Sequence, residues 1–348
     1  MDPDRLRRRG LLQSALAASL GGVLAGFASS GCAGAPEIPK PPPLSPLALG
    51  SLDELAAGAG LSWLVRVKPR AIAEIPWLIP AIGKILPEKR IDAFRIRTGL
   101  DLRQIPEAWL LSYGADEGDA SVALVRHTVD PMELEQLFRK RLTSEIVRSE
   151  DRPDVVRVRG VAGTTARAFA RLGKDVAAFQ TGGDLARGPV RIAAFYAMGK
   201  LSKVATALAI EPLGALFTRF GDAPVIAVAP GPFDGDLEHA ARGLLASASG
   251  VGAAVRPTAR ENLGFSLAIR GDFGDRSAEA AEILGAAWGD IALGTFGHLL
   301  GLDQPIEPPI TAGDAGVLTL SVEVRPDRFA DGLRALAAED LDAIMKLD

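Results

Sequence analysis

Side chains that could act as nucleophiles or metal ligands are sparse in this sequence. There is one cysteine, Cys32, and the three histidines stand far apart in the chain, at His127, His239 and His298. That distribution lacks the ligand spacing of a metal site. The glycine-containing segment 160–165 has no lysine, which a Walker-type phosphate loop requires, and no Gly-x-Ser-x-Gly motif is present. The sequence therefore predicts no catalytic residues, no metal and no cofactor, and we expect a protein that is not an enzyme.

The one cysteine ends an N-terminal segment that has the layout of an export signal. Arginines at positions 5 and 7–9 precede an apolar stretch over residues 10–30, and small residues follow. The run Arg8-Arg9-Gly10-Leu11-Leu12-Gln13 resembles the twin-arginine export signal, with its paired arginines and two large apolar residues. This resemblance implies export of an already folded protein. The general secretory route is the alternative.

The residues just before Cys32 carry a second resemblance. Ser29-Ser30-Gly31-Cys32 resembles the lipobox of bacterial lipoproteins, although Ser29 stands where that family usually has an aliphatic residue. The resemblance implies cleavage between Gly31 and Cys32, a thioether from the Cys32 sulfur to diacylglycerol, and acylation of the new amino group. Two or three acyl chains hold a protein at a membrane far more firmly than one. An uncleaved membrane anchor and an ordinary cleaved signal are the alternatives.

A proline-rich spacer follows the cysteine. Six prolines lie between residues 33 and 50 and enforce extended polyproline II geometry. We therefore expect residues 1–31 to be a signal peptide and residues 32–50 to be a lipidated tether. A proline-rich ligand for another domain is the alternative. Ala33 replaces the aspartate that marks inner-membrane retention among lipoproteins, so the resemblance implies the outer membrane of a bacterial envelope, facing the periplasm.

The rest of the chain has the composition of a folded protein. The 348 residues are 48% hydrophobic and 24% charged, with a formal net charge of −4, and the isoelectric point is about 5.6. This composition excludes disorder over the whole chain, and the acidic balance argues against a nucleic-acid partner. A single cysteine also excludes a disulfide framework within the chain.

Short apolar runs that alternate with turns predict an α+β fold, with antiparallel sheets and helices packed on one face. A strand that leads through a proline-containing turn into a helix recurs along the chain. In addition, Thr98-Gly99-Leu100-Asp101 and Leu300-Gly301-Leu302-Asp303 each follow a long apolar or helical segment. These recurring patterns predict two related halves, residues 51–222 and 223–348. The predicted strands are 61–67, 108–113, 120–126, 155–161, 166–172, 176–180, 225–228 and 318–324, and the predicted helices are 132–142, 328–336 and one starting at residue 234.

Three segments are unusually apolar, namely residues 75–87, 192–220 and 283–302. Plain core packing explains such segments, and a hydrophobic groove or partner surface is the alternative. Prolines at positions 76, 80 and 87 interrupt regular helix in the first segment and favour a surface or groove role for it. The candidate groove residues are Trp77, Ile82, Phe195, Trp288 and Phe296.

Taken together, these features predict a non-catalytic, lipid-anchored envelope protein that binds another envelope protein or supports an assembly. A carrier of a lipid or other apolar ligand in a helix-lined pocket is the first alternative. A hydrolase whose site is assembled from distant residues is the second.

The anchor hypothesis makes a direct prediction. Wild-type protein expressed in its native host should incorporate radiolabelled palmitate, and Cys32→Ser should abolish the label and release the protein from the membrane pellet. The reason is that the serine hydroxyl cannot form the thioether. An unlabelled wild type, or a serine variant that sediments just as firmly, would show that Cys32 is not the anchor.

Overall fold

The computed structural model describes residues 45–114, 119–201, 203–314 and 316–345, with backbone alone for residue 236 and residues 336–345. The described residues from Pro46 onward cluster as one compact unit. Cys32, the predicted export signal and most of the predicted tether lie outside the described residues.

The strands are β1 (Leu61–Val67), β2 (Glu107–Tyr113), β3 (Ala120–Arg126), β4 (Ser144–Arg152), β5 (Val155–Ala162), β6 (Thr165–Leu172), β7 (Val176–Gly182), β8 (Val225–Pro230), β9 (Ala248–Pro257), β10 (Leu263–Gly271), β11 (Ile310–Asp314) and β12 (Val317–Val324).

All of these strands form one sheet. Its order is β11-β12-β10-β9-β8-β1-β2-β3-β7-β6-β5-β4, and every neighbouring pair is antiparallel. The strands β1–β7 therefore occupy one side of the sheet and β8–β12 the other, joined where β1 pairs with β8. The predicted boundary between residues 222 and 223 falls just before β8. That the two halves are related stays a prediction.

Helices of 5 to 20 residues follow or connect the strands. In the described part of the chain they are α1 (Pro69–Ala73), α2 (Ile79–Ile85), α3 (Glu88–Thr98), α4 (Pro131–Lys140), α5 (Pro189–Ala197), α6 (Leu213–Arg219), α7 (Ser277–Leu293), α8 (Thr295–Leu300) and α9 (Pro326–Met345).

Local sequence explains how several helices begin and end. The Asp130 side chain accepts a hydrogen bond from the backbone N–H of Met132, and Pro131 occupies the first turn of α4. Gly99 and Gly301 end α3 and α8 in the left-handed conformation, with φ of 78° and 68°. Only glycine adopts this conformation without strain. The two similar segments, residues 98–101 and 300–303, are therefore helix ends of the same kind.

The predicted α+β class and antiparallel pairing are confirmed, and each predicted strand coincides with an observed one. Four strands, β4, β9, β10 and β11, were not predicted. The helix expected from residue 234 is wrong. That segment holds two stretches of 3₁₀ helix, Gly235–Leu237 and Ala240–Ser247, because Ala241, Arg242 and Gly243 take left-handed φ values of 51°, 58° and 82°.

The helices cover both faces of the sheet, where one face was predicted. On the first face, Ala193 of α5 and Leu216 of α6 join the core that contains Leu64 and Trp109. On the second face, α4 packs on the alternate residues of β5–β7. The reason is that these strands carry apolar side chains on both sides, as the buried neighbours Ala168 and Phe169 show. Beside β10–β12, α7 packs on the second face.

The folded body begins earlier than the predicted end of the tether at residue 50. The backbone N–H of Leu47 donates to the Asp154 carboxylate at 2.6 Å. The side chains of Leu47 and Leu49 also pack against the core of the first face. Two leucines that can be buried outweigh the extended preference of the single nearby proline, Pro46, so residues 46–50 belong to the body.

The fold predicts a strong contrast between two adjacent residues of β2. Trp109 is buried at 1% exposure and stacks on Phe217, with ring centroids 5.3 Å apart, whereas Leu110 points to the other face and is 41% exposed. Trp109→Ala should therefore lower the free energy of unfolding by about 3–5 kcal/mol. The control Leu110→Ala should change it by about 0.5 kcal/mol. Urea unfolding of the full chain, followed by circular dichroism, measures both, and equal effects would contradict the assigned faces.

Candidate functional site

A cavity of about 300 Å³ lies between the second face of the sheet and the helices α1, α2 and α9. Its volume is at the lower end of the range typical of small-molecule pockets. Strands β8, β9 and β10 form its floor, and the helices form its roof. The lining residues are Ile72, Ile75, Leu78, Ala81, Ile82, Ile85, Pro224, Val225, Val255, Arg256, Pro257, Leu263, Pro326, Phe329 and Ala330.

Prolines shape the helical roof of this pocket. Pro69 starts α1 directly after β1, Pro76 starts a short 3₁₀ turn, and Pro80 lies in the first turn of α2. Because proline cannot continue a helix that precedes it, the chain turns repeatedly instead of forming one long helix. The apolar segment 75–87 thus bends over the sheet and turns Ile75, Ile82 and Ile85 toward it.

An ion pair ties the two sides of the roof together. The Lys84 ammonium on α2 lies 2.9 Å from the Asp331 carboxylate on α9 and also donates to the Asp327 carbonyl oxygen at 3.4 Å. Both side chains of the pair are partly exposed. An exposed pair of this kind contributes little stability, so it positions α9 without locking it.

The chemistry of the pocket is almost wholly apolar. Among the described residues that line it, none carries a hydroxyl, carboxylate, imidazole or thiol group. Arg256 is the one charged lining residue, and its guanidinium donates to the Phe220 carbonyl oxygen at 3.1 Å. Such a cavity can exclude water from an apolar group, but it offers no acid, base or nucleophile.

The five residues that the sequence singled out are spread over the molecule. Ile82 lines the pocket, and Trp77 lies half-buried in the 3₁₀ turn that precedes α2. Trp288 on α7 is partly buried and packs against the core of the second face, and Phe296 on α8 is exposed to solvent. Phe195 lies on the opposite face of the sheet, on α5. The structure therefore brings only Trp77 and Ile82 into the same region.

Phe195 is instead the centre of a cationic cluster. The Arg191 guanidinium lies 5.0 Å from its ring centroid, that of Arg157 5.8 Å, and the Lys200 ammonium 5.6 Å. Arg157 also donates to the Asp151 carboxylate at 2.6 Å, which lowers the pKa of Asp151. Cation–π contacts and this ion pair account for the cluster as part of the packing of α5 on the sheet.

The histidines do not converge. His127 is buried with its Nδ1 atom 3.1 Å from the Val129 carbonyl oxygen, and burial lowers its pKa. The His298 Nδ1 atom lies 2.9 Å from the Asp303 carboxylate and lowers the pKa of that carboxyl. Within the described ranges, no group of three or more His, Cys, Asp or Glu side chains could hold a metal ion. The helices in the same ranges include none that is long and apolar enough to span a membrane.

Much of the pocket was missed at the sequence level because its parts are far apart in the chain. The prolines and isoleucines of residues 75–87 were a usable signal. Val255 and Phe329, by contrast, lie in segments that showed no groove pattern, and only the sheet order brings them beneath and beside α2.

Comparisons with known proteins give a structural similarity only. No family model matches the chain, and no curated protein matches it. A solved structure described as crystal form III of TP0453 aligns with a TM-score of 0.47 and 9% identity, over 83% of this chain and 99% of that chain. Crystal form I of TP0453 aligns with a TM-score of 0.47 and 8% identity, over 83% and 98%. Neither description names a ligand, a partner or an activity.

Proposed function

We propose that this chain is a lipid-anchored envelope protein whose folded body binds an apolar chain in the helix-lined pocket. The observation that carries the proposal is the lining itself. About 300 Å³ of space is bounded almost entirely by aliphatic and aromatic side chains. Water in such a space has few hydrogen-bond partners, so an apolar ligand gains by replacing it.

The size of the pocket sets the expected strength of binding. Burial contributes roughly 0.8 kcal/mol per methylene group, so about ten methylenes contribute roughly 8 kcal/mol before the costs of association. Those costs consume part of this gain. We therefore expect dissociation constants in the micromolar range or weaker for a purely apolar chain.

The predicted anchor would keep the binding pocket close to a source of apolar ligands. A body tethered through lipidated Cys32 and a proline-rich spacer would stay near a membrane, where acyl chains are abundant. The tether would raise the local concentration of such ligands at the pocket, and this suits a binder of modest affinity.

The proposal predicts that one position on α2 controls binding while its neighbour does not. Ile82 lines the pocket, and Ile79, one turn earlier on the same helix, is 57% exposed and does not line it. Ile82→Asn should weaken binding about ten-fold or more, because it places an unpaired amide against the ligand. Ile79→Asn should leave binding unchanged. The measurement is titration of delipidated full chain with the neutral fluorophore N-phenyl-1-naphthylamine and its displacement by 1-dodecanol.

Ile82→Trp is a second variant that fills the pocket without adding a buried amide, and it should also weaken binding. Thermal unfolding of each variant shows whether the fold survives the change. A wild type that binds neither probe, or two folded Ile82 variants that bind as tightly as wild type, would overturn the proposal.

A second candidate function rests on a different surface. Four apolar side chains at the end of α7 and on α8 are 40–67% exposed and close together in the chain. We call this set, Ile291, Leu293, Phe296 and Leu299, the α7–α8 surface. Clusters of exposed apolar residues mark interaction sites more often than scattered ones do. This surface favours the other function that the sequence predicts, the binding of another envelope protein.

The candidate partner surface can be tested by charge insertion. Leu293→Glu/Phe296→Glu should abolish cross-linked recovery of a stoichiometric partner from solubilised envelopes, because two carboxylates would have to be buried in the interface. The control is Leu237→Glu, at a residue that is 56% exposed elsewhere on the molecule. Equal recovery by wild type and both variants would rule out this surface as the docking site.

A further inference from the structure

A second cavity adjoins the apolar pocket. It measures about 480 Å³ and lies beside α2, the start of α3 and α9. Ile85 lines both cavities, so the two adjoin at this residue. The other lining residues are Pro80, Gly83, Lys84, Pro87, Arg90 and Arg334.

The charged residues among the described lining of this second cavity are all basic. Lys84, Arg90 and Arg334 line it, and no acidic side chain appears among its described lining residues. The acidic group that reaches Lys84 is Asp331, through an ion pair with both side chains at least one-third exposed. Such a pair is readily exchanged, so a ligand anion could take the place of Asp331 at small cost.

Helix α9 places an apolar and a basic residue one turn apart. On α9, Ala330 lines the apolar pocket, and Arg334, four residues later, lines the basic cavity. On α2, Ile82 lines the apolar pocket, and Lys84 lines the basic cavity. Residues four apart lie along one side of a helix, so α9 presents an apolar surface that continues into a basic one.

We infer that the two cavities form one site for an anionic amphiphile, with the acyl chain in the apolar pocket and the anionic group against Lys84 and Arg334. This inference rests on the proposed binding of an apolar chain and adds the ligand class. The anionic group is a carboxylate or a phosphate, since arginine and lysine donate charge-assisted hydrogen bonds to both. A fatty acid and a phosphate-headed lipid share this chemistry.

The test compares ligands of equal chain length on the delipidated full chain. The probes are 1-dodecanol, dodecanoate and dodecyl phosphate, each used to displace N-phenyl-1-naphthylamine. Wild type should bind at least one of the anionic probes about ten-fold more tightly than the alcohol. High salt should reduce that preference, because the cavity is open to solvent. Whichever anion binds more tightly identifies the headgroup class.

Variants locate the preference in the basic cavity. Lys84→Gln/Arg334→Gln should reduce the preference for the anions over 1-dodecanol to two-fold or less. Because Lys84 also pairs with Asp331 across the roof, the readout is the ratio of the anion and alcohol affinities within each variant. The control Lys89→Gln/Arg139→Gln removes the same two charges from exposed positions that do not line the cavity, and it should retain the preference. This pair of variants separates a local effect from a change in net charge.

The outcomes separate the inference from the proposed function. If 1-dodecanol binds in an Ile82-dependent manner but neither anion is preferred, the inference is overturned and the apolar pocket stands. A preference that survives Lys84→Gln/Arg334→Gln also overturns it. If no probe binds wild type, both the inference and the proposed function fail.

Discussion

The pairing of β1 with β8 is the constraint on which the rest of the architecture depends. It runs from Leu64 opposite Val228 to Val67 opposite Val225, and the Lys68 N–H extends it by donating to the Pro224 carbonyl oxygen at 2.8 Å. Among the described strands, it is the one pairing that joins β1–β7 to β8–β12. Backbone groups in a buried seam must be satisfied, so this pairing fixes the relative placement of both groups.

The same seam determines where the pocket forms. The helices α1 and α2 follow β1 directly, so they come to lie over the neighbouring strands β8 and β9. Helix α9 follows β12 on the other side and meets α2 through the pair of Lys84 and Asp331. The floor of the pocket and α9 thus belong with β8–β12, whereas α1 and α2 follow β1. Neither group of strands alone would enclose the pocket. Beneath the seam, the buried Arg66 guanidinium donates to the Ala223 carbonyl oxygen at 2.7 Å.

Sequence patterns predicted the strands that have a clear run or alternation of apolar residues. They failed for the strands whose composition hides the apolar pattern. The runs at 61–67 and 318–324 are rich in leucine and valine, and both are strands. β9 begins Ala-Ser-Gly-Val-Gly-Ala-Ala, and its small residues give no periodic signal. β4 is an exposed edge strand with charges along its length. For the site, the prolines near Ile82 were informative, whereas the contribution of Phe329 depends on tertiary packing that periodicity does not encode.

The most direct test of the central claim is to locate a bound chain in a crystal of the full protein grown with 12-bromo-1-dodecanol. The account predicts one anomalous bromine peak in van der Waals contact with the pocket floor, at Val225 or Val255, and none elsewhere at comparable height. A peak on the α7–α8 surface with the pocket empty, or no peak at saturating ligand, would contradict it.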